Sequence, residues 1–333
     1  AVGLYQYLPI DNPESLVDVE VPTPAPTGRD LLVRVHAVSV NPVDVKQRAP
    51  RPGKESAPRI LGWDAAGVVE AVGPDVTLFR PGDEVYYAGS IDRAGCNSEL
   101  HLVDERIVGP KPASLSFEEA AALPLTTITA WEAIFDRLGV PKDKSANQGR
   151  TLLIIGGAGG VGSIAIQIAK QVAGLHVIAT ESRPESETWC RQQGADTVIS
   201  HRQSLLDGIA AAGLTTVDYI LCTNSVEQYV ASMAEIIAPQ GKICTIIGTK
   251  NNEPIPMNLF MRKSVGFFFE LMFTRPVFQT PDMQAQHDLL SEASRLVDAG
   301  VLRTTLTERF GPLTAENLRR AHARVESGTM IGK

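Results

Sequence analysis

The chain has 333 residues, 44% of them hydrophobic and 21% charged, which fits an ordinary globular protein long enough for two domains. Its formal net charge of −7, with no basic cluster, excludes a nucleic-acid-binding surface, because neutralising phosphates needs a local excess of Lys and Arg. Cys96, Cys190, Cys222 and Cys244 lack the paired spacing of a zinc module and the density of a disulfide scaffold; with no leader-like start and no apolar run of about 18 residues, the expectation is a cytoplasmic protein without membrane attachment.

Residues 31–40, LLVRVHAVSV, alternate apolar and polar side chains, as a strand with one buried face does. Gly62, Gly67, Gly73, Pro74, Pro81 and Gly82 then break short apolar runs such as 65–69, so the first third reads as short strands joined by tight turns. Ser114, followed by Glu118, Glu119 and an Ala-rich stretch, predicts a capped helix, and 127–138 predicts a second. Short apolar runs at 152–155, 177–180, 197–199, 219–222 and 243–247, separated by helix-length segments, predict a parallel sheet covered on both faces. Beyond Met257 mixed structure returns, with a Phe-rich run at 267–269, a helix over 284–299 and a strand over 304–310, read as a return to the first domain.

The strongest chemical signal is TLLIIGGAGGVGSIAIQIAK at 151–170, an apolar strand running through a glycine-rich turn into an apolar helix. A dinucleotide pyrophosphate needs this arrangement, because backbone N–H groups at a helix N-terminus must approach its oxygens without an intervening Cβ. Gly157, Gly159 and Gly162 hold the three glycine places of G-x-G-x-x-G. At the end of the second strand of such a unit, an acid bonds the ribose 2′-hydroxyl of NAD whereas an Arg accommodates the 2′-phosphate of NADP. This sequence offers both, with Glu181 followed by Ser182 and Arg183.

The segments IIGGAGGVGSIAIQIAK, NPVD at 41–44, LGWDAAGVVEAVG at 61–73, PGDEVYYAG at 81–89 and LPLTTITAWEA at 123–133, in this order, resemble the medium-chain dehydrogenase/reductases. Within them the chain is similar to the ζ-crystallin-like quinone oxidoreductases and to a bacterial group labelled "zinc-type alcohol dehydrogenase-like". The resemblance implies an α/β fold in which a Rossmann doubly wound parallel sheet is inserted in a mostly β, GroES-like catalytic domain. The expected division is 1–124 and 266–333 for the catalytic domain and 125–265 for the dinucleotide-binding domain, with the cofactor in the cleft between them.

The resemblance also implies roles. Gly157, Gly159, Gly160, Val161 and Gly162 approach the pyrophosphate, Ser182 and Arg183 take the 2′-phosphate, and His201 and Asn224 contact the adenosine side or the ribose. Ile247, Gly248 and Thr249 form the turn after the fifth strand, Phe267 to Phe269 pass the nicotinamide, and Thr127 approaches its carboxamide. Zinc-dependent members carry a Cys after the first core strand, a His in a Gly-His-Glu motif, and a Cys or acid ahead of the Rossmann domain. Here those places hold Asn41, Trp63 and Leu125, which supply neither thiolate nor imidazole, so no zinc is expected.

Without a metal to polarise a carbonyl, a quinone or enone that accepts hydride through conjugation is the favoured substrate, with NADPH preferred over NADH. Asn41 is the first candidate for a donor to the acceptor oxygen, with Asp44, Lys46 and Trp63 beside it. Two other readings stay open: an NADH-dependent alcohol or aldehyde oxidoreductase, and a non-catalytic NADPH-binding protein. The resemblance further implies a homodimer.

Overall fold

A computed structural model describes residues 1–333, and in it the chain forms two units: 1–125 with 273–331 and Lys333, and 126–272 with Gly332. Gly266–Phe269 is a strand of the parallel sheet and so belongs to the second unit, not to the returning tail.

Unit 1 carries two antiparallel sheets. Strands β1 (Val2–Gln6), β2 (Val17–Asp18), β3 (Asp30–Val38), β4 (Lys54–Ile60), β5 (Ala65–Val72), β6 (Glu84–Tyr87), β7 (Leu100–Asp104) and β8 (Val108–Pro110) pair in the orders β2-β1-β4 and β7-β3-β5-β6-β8. Alternation in β3 buries Leu31 and Val33 in the unit's core with Val69, Val85 and Val103, while Arg34 reaches out to pair with Glu70. Burying each such side chain contributes roughly 1.5–3 kcal/mol.

Helix α1 (Pro42–Arg48) follows β3, and α2 (Phe117–Ala121) is closed by Ser116, whose hydroxyl accepts the Glu119 N–H while the Glu119 carboxylate accepts the Ser116 N–H. The cap is therefore Ser116 and not Ser114, whose hydroxyl instead holds Asp298. Residues 304–310 are not a sheet strand, since their backbone bonds go to Lys333, which donates its N–H to Thr305 O at 2.8 Å.

The chain leaves unit 1 within α3 (Pro124–Trp131), which widens into a π-type turn over Glu132–Arg137. Unit 2 is a six-stranded parallel sheet of β9 (Thr151–Ile155), β10 (His176–Glu181), β11 (Thr197–Ser200), β12 (Val217–Cys222), β13 (Ile237–Thr245) and β14 (Gly266–Phe269), in the order β11-β10-β9-β12-β13-β14. Counted from β9 this is 3-2-1-4-5-6, the doubly wound dinucleotide-binding order. Every residue of β9 is buried, as a central strand covered on both faces requires.

Helices α4 (Gly160–Gln167), α5 (Pro184–Gln193), α6 (Leu205–Ala211), α7 (Val226–Ile236) and α8 (Asn258–Met261) complete the unit, and α9 (Thr274–Phe278), α10 (Ala285–Asp298) and α11 (Ala315–Glu326) belong to unit 1. No helix is long and apolar enough to cross a membrane. The four cysteines are buried and unpaired.

Candidate functional site

Because all six strands of unit 2 run parallel, the loops after β9 to β13 leave one edge of the sheet, the C-terminal edge where open α/β sheets bind ligands. There β9 runs into Gly156, whose φ of +88° is left-handed and whose added Cβ would stand 2.5 Å from Thr223 Oγ1. A Cβ on Gly157 would lie 2.8 Å from that of Ala179, and one on Gly162 would lie 2.2 Å from the Gly156 carbonyl oxygen. The protein's own packing thus demands these three glycines.

Gly159 is different. A Cβ there would meet nothing nearer than Gly156 O at 3.8 Å, and its φ of −73° and ψ of 174° suit any residue. The residue is exposed at the N-cap of α4, with open space in front of it. With the backbone N–H groups of the first turn of α4 and the positive end of its dipole beside it, that space fits a pyrophosphate.

The turn is held from beneath. Thr180 Oγ1 accepts the Gly156 N–H at 3.0 Å, Thr180 O accepts the Gly157 N–H at 3.0 Å, and Thr223 Oγ1 donates to Ile155 O at 2.8 Å. Ser163 Oγ donates to Gly159 O at 2.7 Å and accepts from Trp189 Nε1 at 2.8 Å. Gly160 and Val161 stand half-buried at the start of α4.

At the end of β10, Glu181 is 9% exposed and its Oε2 has no hydrogen-bond partner. Burial pushes its carboxyl above the usual range, the Arg183 N–H lowers it, Glu187 raises it and Arg202 lowers it again. Ser182 and Arg183 are half-buried, Arg183 being the N-cap of α5. Arg202 is the residue that sequence reasoning missed, an exposed guanidinium close enough to act on both Glu181 and His201. A second Arg one strand along, after β11, carried no motif to announce it.

His201 is half-buried, and its Nδ1 shares a hydrogen with Thr180 Oγ1 at 3.0 Å. Burial first, then Arg202, holds its imidazole below the usual pKa, so the ring is neutral at pH 7. Asn224 is exposed beside the glycine turn, its Cβ 3.8 Å from where a Gly156 Cβ would lie. Ile247, Gly248 and Thr249 follow β13, with Thr245 Oγ1 donating to Ile247 O at 3.0 Å and Thr249 Oγ1 donating to Glu253 O at 2.6 Å. Thr127 is buried on α3.

Phe267 and Phe269 lie on the edge strand β14. Phe267 packs against the unit's core and lies 5.5 Å from the Phe260 ring, whereas Phe269 is 59% exposed.

Unit 1 contains a buried polar cluster. Asn41 Nδ2 donates to Asp64 Oδ2 at 2.8 Å and to Trp63 O at 3.5 Å, and Asp64 Oδ1 accepts the Leu125 N–H at 2.8 Å. Lys333 Nζ donates to Asn41 Oδ1 and to Val40 O at 3.1 Å, and pairs with Asp64 Oδ2 at 3.3 Å. Asp44 Oδ2 accepts the Asn41 N–H at 2.7 Å, and Asp44 Oδ1 has no hydrogen-bond partner.

Burial pushes the Asp44 carboxyl up to about 7 against the Asn41 N–H and the Lys333 charge, and pushes Asp64 up to about 6 against Lys333 and Asn41. The same burial lowers the Lys333 ammonium, while Asp64 and Asp44 raise it.

The surroundings of three of the expected residues are defined by these contacts. Asn41, 1% exposed, has its amide committed at both ends inside the cluster and is no free donor to a substrate oxygen. Trp63 is a core side chain, 1% exposed, that gives its indole N–H to Ser90 O at 3.1 Å and meets the Phe273 ring edge-on at 6.3 Å. Lys46 is exposed on α1, apart from the cluster. Only Asn41 and Asp44 of the four predicted residues belong to it, joined by Asp64 and Lys333. The donor set does not suit zinc: an amide, an indole and a leucine stand at the ligand places, and the one carboxylate among them lies on an ammonium.

Comparison with known proteins gives two matching families, the alcohol dehydrogenase GroES-like domain over residues 27–124 and the zinc-binding dehydrogenase family over 193–333. A zinc-type alcohol dehydrogenase-like protein of Staphylococcus aureus (strain MSSA476) is 47% identical over 310 residues, covering 93% of this chain and 91% of that protein. A solved structure from Rhizobium etli CFN 42, named for the zinc-dependent alcohol dehydrogenases, is 55% identical with a TM-score of 0.94, covering 100% of this chain and 96% of that one. The Escherichia coli quinone oxidoreductase complexed with NADPH is 25% identical with a TM-score of 0.81, covering 100% and 98%.

Proposed function

Because the chain belongs to the medium-chain dehydrogenase/reductase superfamily and is an oxidoreductase, we propose that it is a zinc-independent, NADPH-dependent reductase of quinones or α,β-unsaturated carbonyls. The observation that carries this reading is a glycine turn shaped for a dinucleotide, beside which unit 1 has a buried cluster where Lys333 Nζ pairs with Asp64 Oδ2 and no thiolate or imidazole is present. An acceptor whose conjugation spreads the incoming charge suits a site without a Lewis acid. When bound, the nicotinamide supplies the hydride.

The chain's residues bind and orient the donor. Gly157, Gly159, Gly160, Val161 and Gly162 cradle the pyrophosphate, and Ser182, Arg183 and Arg202 take the 2′-phosphate, whose charge Arg binds through its planar fork. The NADPH carried by the Escherichia coli relative supports this choice. His201, Asn224 and the turn at Ile247, Gly248 and Thr249 flank the ribose, and Thr127 serves the carboxamide. In unit 1, Asp44 and Asn41 belong to the buried cluster and shape the site through it.

A second reading, use of NADH, is favoured by Glu181, whose unpartnered Oε2 at the end of β10 stands where an acid bonds a ribose 2′-hydroxyl. The protein is also proposed to act in the cytoplasm as a homodimer paired along the edge strand β14, on which Phe269 is 59% exposed and just after which Leu271 is 57% exposed.

The test follows oxidation of NADPH and of NADH by chelator-treated protein with an ortho-quinone, an enone and a simple aldehyde. Turnover of quinone or enone with NADPH is expected. Activity with the aldehyde alone, and only after zinc is added, overturns the proposal; preference for NADH moves the choice to the second reading.

A further inference from the structure

We propose that Lys333 is the positioning cation of unit 1: a charge supplied by the chain itself, at the place where zinc-dependent members of the superfamily bind their metal. The inference rests on the zinc-independent reading and says what stands in for the metal. Three segments far apart in sequence meet there, Val40 with Asn41, Trp63 with Asp64, and Leu125 at the start of α3. They are the segments whose places carry ligands in zinc-dependent relatives. In this chain what joins them is one ammonium and one carboxylate.

An ammonium has three N–H donors and no acceptor. At Lys333 the three have three partners: Val40 O at 3.1 Å, Asn41 Oδ1, and Asp64 Oδ2 at 3.3 Å. Asp64 is used as completely, since Oδ2 takes Lys333 and the Asn41 amide while Oδ1 takes the Leu125 N–H at 2.8 Å. Lys333 is 9% exposed and Asp64 0%, so each buried charge depends on the other.

Unlike a metal, this cation has no open position at which a substrate oxygen could bind. Its effect is to fix the Asn41 amide and, through Asp64, the first turn of α3. Asp44 Oδ1, buried and unpartnered, is the remaining carboxyl oxygen at the cluster. Removing the lysine side chain would leave a cage of oxygens, from Asp64, Asn41 and the Val40 carbonyl, that matches a primary ammonium ion.

The experiment uses the Lys333→Ala variant and measures its melting temperature at pH 8 in n-propylammonium chloride, in tetramethylammonium chloride, and with zinc chloride. Loss of the lysine is expected to lower the melting temperature by on the order of 10 °C, as for a broken buried pair. Propylammonium should restore it saturably, and tetramethylammonium, which has no N–H, should not. No loss, no selective recovery, or recovery by zinc would each overturn the proposal.

Should that variant not fold, Lys333→Met combined with Asp64→Asn removes both charges and is expected to melt above Lys333→Met alone. Equal damage from Lys333→Met with and without Asp64 would show that the lysine is not the carboxylate's cation. These readouts need no turnover, so they stand even if the acceptor class assigned to the enzyme is wrong.

Discussion

Substituting alanine at two glycines of the nucleotide turn separates space kept for a ligand from space kept for the fold. At Gly159 the new methyl would meet no heavy atom nearer than 3.8 Å, in a backbone conformation open to any residue. Alanine loses less chain entropy on folding than glycine, so Gly159→Ala without cofactor is expected to gain about 0.4–1 kcal/mol, or roughly 1–4 °C in melting temperature. The same methyl takes the space in front of the N–H groups at the start of α4. Losing one charge-assisted hydrogen bond costs about 1.5–3 kcal/mol, so NADPH should bind roughly 10- to 100-fold more weakly.

Gly162→Ala behaves in the opposite way. Its methyl would stand 2.2 Å from the Gly156 carbonyl oxygen, so the turn must shift, at about 1–3 kcal/mol and several degrees of melting temperature with no cofactor present. Melting curves with and without NADPH, together with NADPH fluorescence titration, measure both quantities. Wild-type NADPH affinity in Gly159→Ala would remove the turn from the pyrophosphate site. A melting loss there as large as that of Gly162→Ala would show that the space is not free.

Two further outcomes follow from the same unit. Arg183→Ala and Arg202→Ala are each expected to raise the Kd for NADPH about 10-fold while leaving that for NADH nearly unchanged, read by parallel titrations; equal loss for both cofactors would place neither guanidinium on the 2′-phosphate. If the proposed homodimer pairs along β14, Phe269→Lys, which puts a charge on that exposed edge strand, is expected to lower the sedimentation coefficient from that of a dimer to that of a monomer, whereas an unchanged coefficient removes β14 from the proposed interface.

Local periodicity and motif chemistry reached the nucleotide half of the molecule because its logic is local. A strand, five glycines and a helix lie within one stretch of chain, and their spacing reflects contacts between near neighbours, such as Gly162 against Gly156. Even there Gly156, the one residue of the turn with a left-handed φ, is set by Thr223 just after β12, far away in sequence, which no spacing reveals. In unit 1 the logic is long-range. The Asn41 amide looks available for a substrate from its own neighbourhood and is committed because Lys333, 292 positions away, lies on it. Residues 304–310 alternate like a strand, yet alternation reports only which faces are buried, and their bonding partner is again Lys333. Phe267 to Phe269 reads as a cluster for a ring to lie against, although three adjacent aromatics also suit a strand with one covered face.

Unit 2 also holds a pair of buried carboxyls whose titration opposes stability at high pH. Glu132 and Glu270 are 0% and 3% exposed, with Arg137 Nε at 2.8 Å from Glu270 and Arg137 Nη2 at 3.9 Å from Glu132. One guanidinium faces two carboxyls; burial first, and Glu132 second, push Glu270 up to about 9, so that it is protonated at neutral pH and the pair shares a proton. In the unfolded chain the same group titrates near 4.5. The folded state therefore binds the extra proton between those two values, and the stability it contributes is complete below the lower one and lost as pH rises toward the upper. Glu270→Gln keeps the shape and removes the titration, so relative to wild type it should gain stability steadily from neutral pH to about 9. Asp44 and Asp64 in unit 1 are also raised and slope the same way, which is why the difference between variant and wild type, and not the wild-type curve, carries the prediction. Chemical denaturation at pH 6, 7.5 and 9 measures it, and parallel curves for the two proteins would show that Glu270 is ionised throughout and that Arg137 balances both carboxylates.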